Sequence, residues 1–307
     1  MIRFFKVAFV FIMSLTIFSC SKADDPVVTY VVPFAEQYPR DLAAIDKYLD
    51  EYHMDVNSDK DVTFTKIPTP NTANLQTIRA QYASNLHTKT VNSNGVDYKV
   101  YYINTTDLSD PANYGAGEKP TVIDSAFVSY KGSLLDETVF DQAQNPVWFR
   151  LYQYGDLDII RGWKEIFPLF KAGDKDVTDI NNPIYTNFGA GVMFLPSGLA
   201  YYSGSGPTGS LPSYSPLIFS FKLKDVNYVD HDADRIDSRY EDANGDGDPT
   251  NDDSDGDGHI DALDIDDDAD GIPTKTEIKN PSGGYYSFAS IPLCTDGKKK
   301  HLSAACH

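Results

Sequence analysis

Ile159-Ile160-Arg161-Gly162-Trp163 stands at the centre of a set of aromatic and aliphatic residues that decides the fold. The set continues outward along the chain, on both sides, in four short groups: Tyr130, Phe140-Asp141, Leu199-Ala200-Tyr201 and Leu217-Ile218-Phe219. Five rings, one carboxylate and an aliphatic pair are more typical of a dry pocket for a small apolar group than of a proton-transfer or nucleophilic site. The alternative is that these rings are ordinary core packing.

The sequence around these residues has the pattern of a small antiparallel sheet. Val96 to Ile103 is rich in Val and Tyr and predicts a strand. Short strand-like runs broken by Gly, Pro and Asn continue to about Val226, and one helical pattern covers Trp163 to Phe170. We therefore predict an α+β domain over residues 96–228. The Gly-, Ser- and Pro-rich stretch from Ser203 to Ser215 predicts a long loop beside the rings.

Residues 35–95 are predicted to form a helical N-terminal extension. From Phe34 to Met54 apolar residues recur at steps of three and four, which indicates an amphipathic helix. The recurring positions are Leu42, Ile45, Tyr48, Leu49 and Tyr52. A second, shorter helical pattern runs from Ala73 to Ala83.

The beginning of the chain has the pattern of a secretory signal peptide over residues 1–19. Basic residues precede an apolar stretch, Val7 to Phe18, which is soon followed by Cys20. About a dozen apolar residues are too few for a spanning helix, which needs roughly 20. The segment resembles a bacterial lipoprotein signal, which implies lipid on Cys20, a tether over residues 20–34 and an outer membrane location facing the periplasm or the cell surface. The alternative is an ordinary signal peptide with a chance cysteine.

The net charge of −19 is concentrated in one segment. Residues 230–277 hold 19 Asp and Glu against three basic residues, so the rest of the chain is nearly neutral. Nothing in this pattern indicates nucleic-acid binding. With Cys20 assigned to lipid, Cys294 and Cys306 remain. An even pair in an exported protein predicts one disulfide in the tail, residues 281–307.

The acidic segment, residues 229–280, repeats a spacing typical of calcium-binding loops. Carboxylates at positions 1, 3, 5 and 12 converge on one ion, and Gly at position 6 permits the sharp turn. The predicted ligands of three copies are Asp230, Asp232, Asp234 and Glu241, then Asp253, Asp255, Asp257 and Asp264, and last Asp266, Asp268, Asp270 and Glu277. Arg235 takes the Gly position in the first copy, and a partial fourth copy consists of Asn244, Asp246 and Asp248. The array resembles thrombospondin type 3 repeats, and the alternative is a disordered acidic spacer.

Residues 96 to 226 resemble the FKBP family of peptidyl-prolyl isomerases. The resemblance rests on the order of the strand Val128–Gly132, Leu135 with Phe140-Asp141, Ile159 to Trp163, Gly173, Pro196 with Leu199-Ala200-Tyr201, and the strand Leu217–Val226. It implies an antiparallel half-barrel sheet wrapped around a short helix. It also implies proline-containing polypeptides as partners. Family members with N-terminal extensions sometimes dimerise, so a dimer is a further expectation.

The resemblance also assigns roles to individual residues. Trp163 would form the floor under a proline ring, with walls from Tyr130, Phe140, Tyr201 and Phe219, and a further wall from Trp148 or Phe149. Ile159 would pack beside the proline, and the backbone N–H of Ile160 would hold a substrate carbonyl. Tyr201 would offer its hydroxyl, and Asp141 would orient the pocket through polar contacts.

The leading prediction is therefore a lipid-anchored prolyl isomerase that acts on X-Pro bonds of exported proteins. Isomerisation breaks no covalent bond, so catalysis needs no cofactor, and calcium is expected only as a structural ion of the tail. Three features depart from the family pattern, since Ile166 and Tyr202 stand where Gly is usual and the connection from Asp174 to Val192 is long. The alternative is a non-catalytic surface binding or adhesion module with a calcium-stabilised spacer.

Overall fold

The computed structural model describes residues 31–152 and 159–306. The predicted signal peptide, Cys20 and most of the tether lie outside these residues. Within the described residues, no helix is both long and apolar enough to span a membrane.

The first helix, α1, spans Phe34–Glu51 and buries Ile45, Tyr48 and Leu49. These are the apolar positions at three- and four-residue steps, so the predicted amphipathic helix is confirmed. It ends before Met54, however, because the strand β1 (Tyr52–Val56) pairs antiparallel with β2 (Val62–Lys66). The second predicted helix is also shorter than expected, since α2 covers only Ile78–Gln81.

A six-stranded sheet follows, built from β3 (Leu86–Ser93), β4 (Val96–Asn104), β5 (Ser125–Leu134), β6 (Val139–Arg150), β9 (Gly189–Leu195) and β10 (Leu217–Asn227). Its order is β3-β4-β9-β10-β5-β6, and every neighbouring pair is antiparallel. Between β6 and β9 lie the helix α3 (Arg161–Ile166), which continues as a 3-10 turn, and a small hairpin of β7 (Asp174–Asp176) and β8 (Ile184–Thr186). The predicted α+β fold is confirmed.

The predicted helical extension over residues 35–95 is only partly helical. Strands β1 and β2 lie within it, and β3 is an edge strand of the main sheet. Its hairpin with β4 closes at Asn94 and Gly95, which both have positive φ (51° and 72°). Asn-Gly is the preferred pair for such a two-residue turn. The expected domain boundary at residue 96 therefore cuts through a hairpin.

The sheet separates two apolar layers. Side chains of a strand alternate between its faces, so Phe219 and Phe221 of β10 join one layer while Ile218 joins the other. The first layer packs on α3 and the turn after it, where Phe170 and Phe221 lie 4.9 Å apart between ring centroids. The second layer packs on α1. This arrangement fixes α3 on the face of the sheet that carries Phe219 and Phe221.

The edge strand β6 is irregular. It pairs only with β5, and its register shifts twice. One shift lies between the pairs Val128 with Val147 and Tyr130 with Ala143, so Pro146 falls within it.

Between β9 and β10, the predicted loop from Ser203 to Ser215 is confirmed, since it contains neither helix nor strand.

The tail after β10 contains little regular structure. A single helical turn, α4 (Thr274–Glu277), lies in the acidic segment, and a small apolar cluster gathers Ile236, Ile278 and Ile291. The two cysteines of the predicted pair, Cys294 and Cys306, are joined by a disulfide with their Cα atoms 5.8 Å apart.

Candidate functional site

The predicted pocket rings come together above α3. Trp163, on α3, and Phe219, on β10, lie 4.6 Å apart between ring centroids. Tyr130 of β5 lies 5.6 Å from Trp163, and Phe140 of β6 lies 5.6 Å from Phe219 at 81°. Tyr201, in the loop before β10, meets the Phe140 ring edge to face at 6.3 Å. One helix, three strands and one loop therefore contribute to one group of rings.

The burial of these rings is graded. Trp163 is 3% exposed and Phe219 is 1% exposed, whereas Tyr130, Phe140 and Tyr201 are half-buried. A closed core would bury all five, so the group combines two buried rings with three rings that are partly open to solvent.

The two isoleucines before Trp163 lie at the start of α3. Both are half-buried and pack against the same core as the rings. Ile160 has extended backbone angles (φ −54°, ψ 141°), and its carbonyl accepts the Trp163 N–H at 3.1 Å. The backbone therefore turns into the helix directly beside the Trp163 ring.

Polar groups beside the partly open rings are few and specific. The Tyr130 hydroxyl donates to Asp141 Oδ2 at 2.7 Å. Burial is the main cause that raises the pKa of Tyr130, and the hydrogen bond to Asp141 raises it further. Burial, and then the negative charge of Asp141, raise the pKa of Tyr201 to about 12. Both hydroxyls therefore keep their protons at neutral pH and remain able to donate.

Gly132 of β5 allows two rings to lie close over the sheet. A Cβ atom at this position would come within 2.6 Å of a Phe219 ring carbon and 2.8 Å of a Phe140 ring carbon. Such separations are too short for any side chain without moving the rings. The glycine is therefore a packing requirement of the aromatic site.

The acidic segment forms four successive loops with the same backbone geometry. Each carries a carboxylate at position 1 that accepts the backbone N–H at position 6, namely Arg235 to Asp230 (3.2 Å), Gly247 to Asp242 (2.9 Å), Gly258 to Asp253 (3.0 Å) and Gly271 to Asp266 (3.1 Å). The residue at position 6 has positive φ in every loop, including Arg235 at 93°. We call these loop 1 (230–241), loop 2 (242–253), loop 3 (253–264) and loop 4 (266–277).

This geometry corrects the register of the fourth copy. Asp242, rather than Asn244, stands at its first position, so that Asn244 and Asp246 take positions 3 and 5. Asp253 then serves as the last residue of loop 2 and the first of loop 3.

The predicted calcium ligands gather within their loops. Oxygens of the three Asp residues at positions 1, 3 and 5 lie within 4.8 Å of one another in loops 1, 3 and 4. The Glu residues at position 12, Glu241 and Glu277, are 4% and 3% exposed. Asp264, at position 12 of loop 3, is half-buried. Neither Asp264 nor Glu277 belongs to any of the carboxylate groups found among the described residues, and Glu241 groups with Asp232 and Asp267.

Burial puts these carboxylates in an unfavourable state without a cation. Burial first, and then neighbouring Asp residues, raise the pKa of Glu241 to about 11 and that of Glu277 to about 8. Within the described residues, neither carboxylate has a hydrogen-bond partner for either oxygen. Hard carboxylate oxygens of this kind are the donors that calcium prefers, so the residues fit such an ion.

Two family models match the chain. Residues 116–224 match the model described as FKBP-type peptidyl-prolyl cis-trans isomerase, and residues 231–301 match the model described as BamM C-terminal. Residues 116–224 are thus similar to FKBP-type isomerases, and we call this segment the FKBP domain. The ring group, Asp141 and the strands β5, β6 and β9 lie within it, whereas β3 and β4 precede it.

Individual relatives agree with this assignment. The chain is similar to FkpA, an FKBP-type peptidyl-prolyl cis-trans isomerase of Escherichia coli K12, with 27% identity over 63% of this chain and 60% of the relative. It is also similar to the macrophage infectivity potentiator of Trypanosoma cruzi, with 33% identity over 36% of this chain and 47% of the relative. The chain therefore spans about half of the length of the curated relatives it matches.

Solved structures are similar as well. The crystal structure of Escherichia coli FkpA has 27% identity, with 48% of this chain and 55% of that chain covered, at a TM-score of 0.33. A peptidyl-prolyl cis-trans isomerase from Pseudomonas syringae has 23% identity, with 48% and 86% covered, also at 0.33.

The structure shows which of Trp148 and Phe149 faces the rings of the FKBP domain. Phe149 stacks on Trp163 with centroids 5.7 Å apart and planes at 20°, and lies 5.4 Å from Tyr130. Trp148 instead stacks on Phe127 and is 47% exposed. Phe167, which was not among the predicted site residues, lies 4.5 Å from Trp163 between ring centroids. Its place one helical turn after Trp163 was the signal for it.

Helix α1 holds the segment of the FKBP domain that leads to Tyr201. Asp41, buried in α1, accepts the Ser197 N–H at 2.7 Å and the Ser197 hydroxyl at 2.6 Å through one oxygen. Its other oxygen accepts from Gln37 at 2.7 Å. The N-terminal helix is thus part of the support of the site.

Tyr202, one of the departures from the family pattern, makes a second link to α1. It has φ of 50°, a conformation that Gly adopts without strain. Its ring stacks on Phe34 at 4.0 Å and its hydroxyl donates to the Val32 carbonyl. Tyr214 meets its ring edge to face at 5.0 Å. The other departure, Ile166, is fully buried in the core.

Proposed function

We propose that this protein is a peptidyl-prolyl cis-trans isomerase that acts on X-Pro bonds of exported polypeptides. The observation that carries the proposal is the graded group of rings around Trp163, which lies within the FKBP-type domain. A buried floor with half-buried walls fits a proline ring entering from solvent.

The chemistry required is the twisting of an amide, not the breaking of a bond. Amide resonance sets a barrier of about 18–20 kcal/mol. A pocket that excludes water disfavours the polar, planar amide relative to the twisted one, in which resonance is lost. Binding the twisted state more tightly than either planar state is sufficient to accelerate the reaction.

Each residue of the site has a separate role in this proposal. Trp163 and Phe219 form the base that excludes water below the proline ring, and Phe149 adds a wall beside Trp163. The Tyr201 hydroxyl, which keeps its proton, is available to a substrate carbonyl, as is the N–H of Ile160. Asp141 accepts from Tyr130 and so fixes the orientation of that ring.

The test is a protease-free refolding assay on a protein whose folding is limited by proline isomerisation. We expect Trp163→Ala and Phe140→Ala to remove most of the acceleration. Trp148→Ala is the matched control, because Trp148 lies on the exposed side of β6 and should retain nearly the full rate. Emptying a buried Trp site costs about 3–5 kcal/mol of stability. Thermal unfolding must therefore accompany the rates, and the half-buried Phe140 is the safer variant. Full activity in both pocket variants would refute the assignment.

A second candidate is a binding module that holds proline-containing segments without turnover. It is favoured by Tyr202, which replaces a flexible residue and ties the loop after Tyr201 to the N-terminal segment. A rate equal to the uncatalysed one, together with saturable binding of a proline-containing peptide, would decide for this function.

We also propose that the acidic tail, residues 229–280, binds calcium and is organised by it. The common backbone geometry of the four loops and the buried, unpartnered Glu241 and Glu277 support this. Extracellular calcium sites bind at about 10⁻⁴–10⁻³ M, which suits a millimolar environment. Calcium titration followed by circular dichroism tests the proposal, and an unchanged spectrum would favour a plain acidic spacer.

Finally, we propose that lipid on Cys20 anchors the protein to the outer membrane, facing the periplasm or the cell surface. The signal-like residues 1–19 support this. Metabolic labelling with a radioactive fatty acid should mark the parent chain but not Cys20→Ser. A dimer is also proposed, and sedimentation of the detergent-solubilised chain would detect it.

A further inference from the structure

We propose a further cation site in the tail, placed between loop 1 and loop 4, with Asp232, Glu241 and Asp267 as its ligands. It rests on the proposed calcium binding of the tail and shares Asp232 and Glu241 with loop 1. Asp267 is the addition, because it occupies a position that supplies no ligand in the 12-residue spacing. The site would join the first loop to the last.

Asp267 is the residue that calls for an explanation. It is 1% exposed, and neither of its carboxylate oxygens has a hydrogen-bond partner among the described residues. Its backbone N–H is bonded, to Thr274 Oγ1 at 3.3 Å. An ionised carboxylate buried without a partner is strongly unfavourable, so a group that satisfies it is required.

The carboxylate of Asp267 does not join the three Asp residues of its own loop. It lies instead with Asp232 and Glu241, and one oxygen from each of the three falls within 4.8 Å of the others. The two neighbours of Asp267 in sequence, Asp266 and Asp268, belong to the separate group of loop 4. Alternate residues of loop 4 therefore serve two different groups.

The other two residues are equally unsatisfied. Glu241 is 4% exposed and has no hydrogen-bond partner for either oxygen within the described residues. Asp232 accepts the Asp234 N–H at 3.1 Å through Oδ1, whereas its Oδ2 is buried and unpartnered there. The group thus offers two oxygens each from Glu241 and Asp267 and one from Asp232, all shielded from water.

The basic residues of the segment contact other groups. The Arg235 guanidinium lies over the Tyr285 ring, and that of Arg239 lies over the Tyr228 ring. The Lys275 ammonium donates to the Ala233 carbonyl at 3.2 Å. A divalent cation with a preference for hard oxygen ligands is the partner that such a donor set fits, and calcium is the one already proposed for these loops.

The experiment counts calcium ions bound to the full chain, by equilibrium dialysis and native mass spectrometry. We expect Asp267→Asn, which keeps the shape but removes the charge, to bind one calcium ion fewer than the parent. The matched control is Asp124→Asn, a fully buried Asp outside the tail, which should bind the parent number. An unchanged count in Asp267→Asn would overturn the inter-loop site.

A second measurement separates ligand loss from simple misfolding. In a chelator, Asp267→Asn should make the tail more resistant to thermal unfolding than the parent, because a buried unpaired charge is gone. In saturating calcium it should make the tail less resistant. Asp255→Asn, at a less buried position of loop 3, should weaken the tail in calcium without the gain in chelator. A loss under both conditions in Asp267→Asn would contradict the proposal.

Failure of the proposed calcium binding of the tail can be distinguished from failure of the inter-loop site alone. A parent chain that binds no calcium at all would overturn both the proposed calcium role of the tail and this site. A parent that binds calcium at the loops, with Asp267→Asn unchanged, would overturn this site alone.

Discussion

Between Ser125 and Asn227 the interior of the chain is filled by rings such as Trp163, Phe219 and Phe221, whereas between Asp230 and Glu277 it is filled by carboxylates. In the FKBP domain the buried groups attract one another by excluding water. In the tail the buried groups repel one another, and the apolar cluster there consists of three isoleucines with two partly buried rings beside them. The comparison contrasts a region whose buried groups can hold its fold unaided with a region that, on the proposed calcium binding, depends on a bound cation.

The largest expected effect is the removal of calcium. Each site at ten times its Kd contributes about 1.4 kcal/mol, so several filled loops account for much of the stability of the tail. We expect a chelator to lower the melting temperature of the tail and to speed limited proteolysis within residues 230–277, while the fragment carrying the FKBP domain stays intact. Mass spectrometry of the fragments checks this. Equal protection of the tail with and without calcium would break the comparison.

The pH dependence in chelator should have opposite sign to that of most proteins. The folded pKa of Glu277 is raised to about 8 from its ordinary value of 4.5, by burial and then by its acidic neighbours. A raised carboxyl pKa means that its contribution is complete below about 4.5 and is lost as pH rises through 8. The melting temperature of the tail should therefore fall between these values. Glu277→Gln should flatten the change.

Gly132→Val tests the ring packing of the FKBP domain. The new side chain must displace Phe140 and Phe219, and overpacking of this kind costs about 3 kcal/mol. We expect a large loss of isomerase rate and a lower unfolding temperature, both measured on the full chain. The tail should keep its calcium count. Gly95→Ala in the β3–β4 turn is the control, since it strains a backbone at φ 72° without a Cβ contact within 4 Å; it should lower the unfolding temperature without moving the rings.

Asp41→Ala tests whether α1 supports the site. Ser197 would lose its acceptor while buried, at a cost of about 2 kcal/mol, and Tyr201 lies four residues further along the same segment. We expect a reduction of several-fold in isomerase rate with calcium binding unchanged. Glu36→Ala on the same helix is the control, because its exposed pair with Arg40 is worth about 0–1 kcal/mol. Equal isomerase rates in Asp41→Ala and Glu36→Ala would show that α1 packs against the FKBP domain without supporting its site.

Local patterns in the sequence predicted much of this structure. The three- and four-residue steps of α1, the strand over β4 and the loop spacing around Gly258 and Gly271 are all set by neighbours in sequence. The ring group could also be named, because each member recurs in a known order. The Asn94-Gly95 pair predicts a hairpin between β3 and β4, but the expected helical extension over residues 35–95 leaves no place for β3 as a strand.

What could not be predicted depends on contacts between distant segments. The role of Asp41 depends on Ser197, which is 156 positions away in the chain. Asp267 has the same local surroundings as other Asp residues of the tail, and only the folding of loop 4 against loop 1 sets it apart. Phe149 and Trp148 were indistinguishable because the register shift in β6 decides which of them faces Trp163.

That irregular edge strand has one more consequence. A regular edge presents a continuous row of free N–H and C=O groups, to which another extended chain can add itself. In β6, Pro146 has no N–H to offer and the shifted register interrupts the row. A protein proposed to handle incompletely folded chains is exposed to this hazard constantly. Under the proposed isomerase function, a client would reach the rings beside Asp141 and Phe149 without being recruited as a seventh strand, and we expect aggregation at this edge to be suppressed.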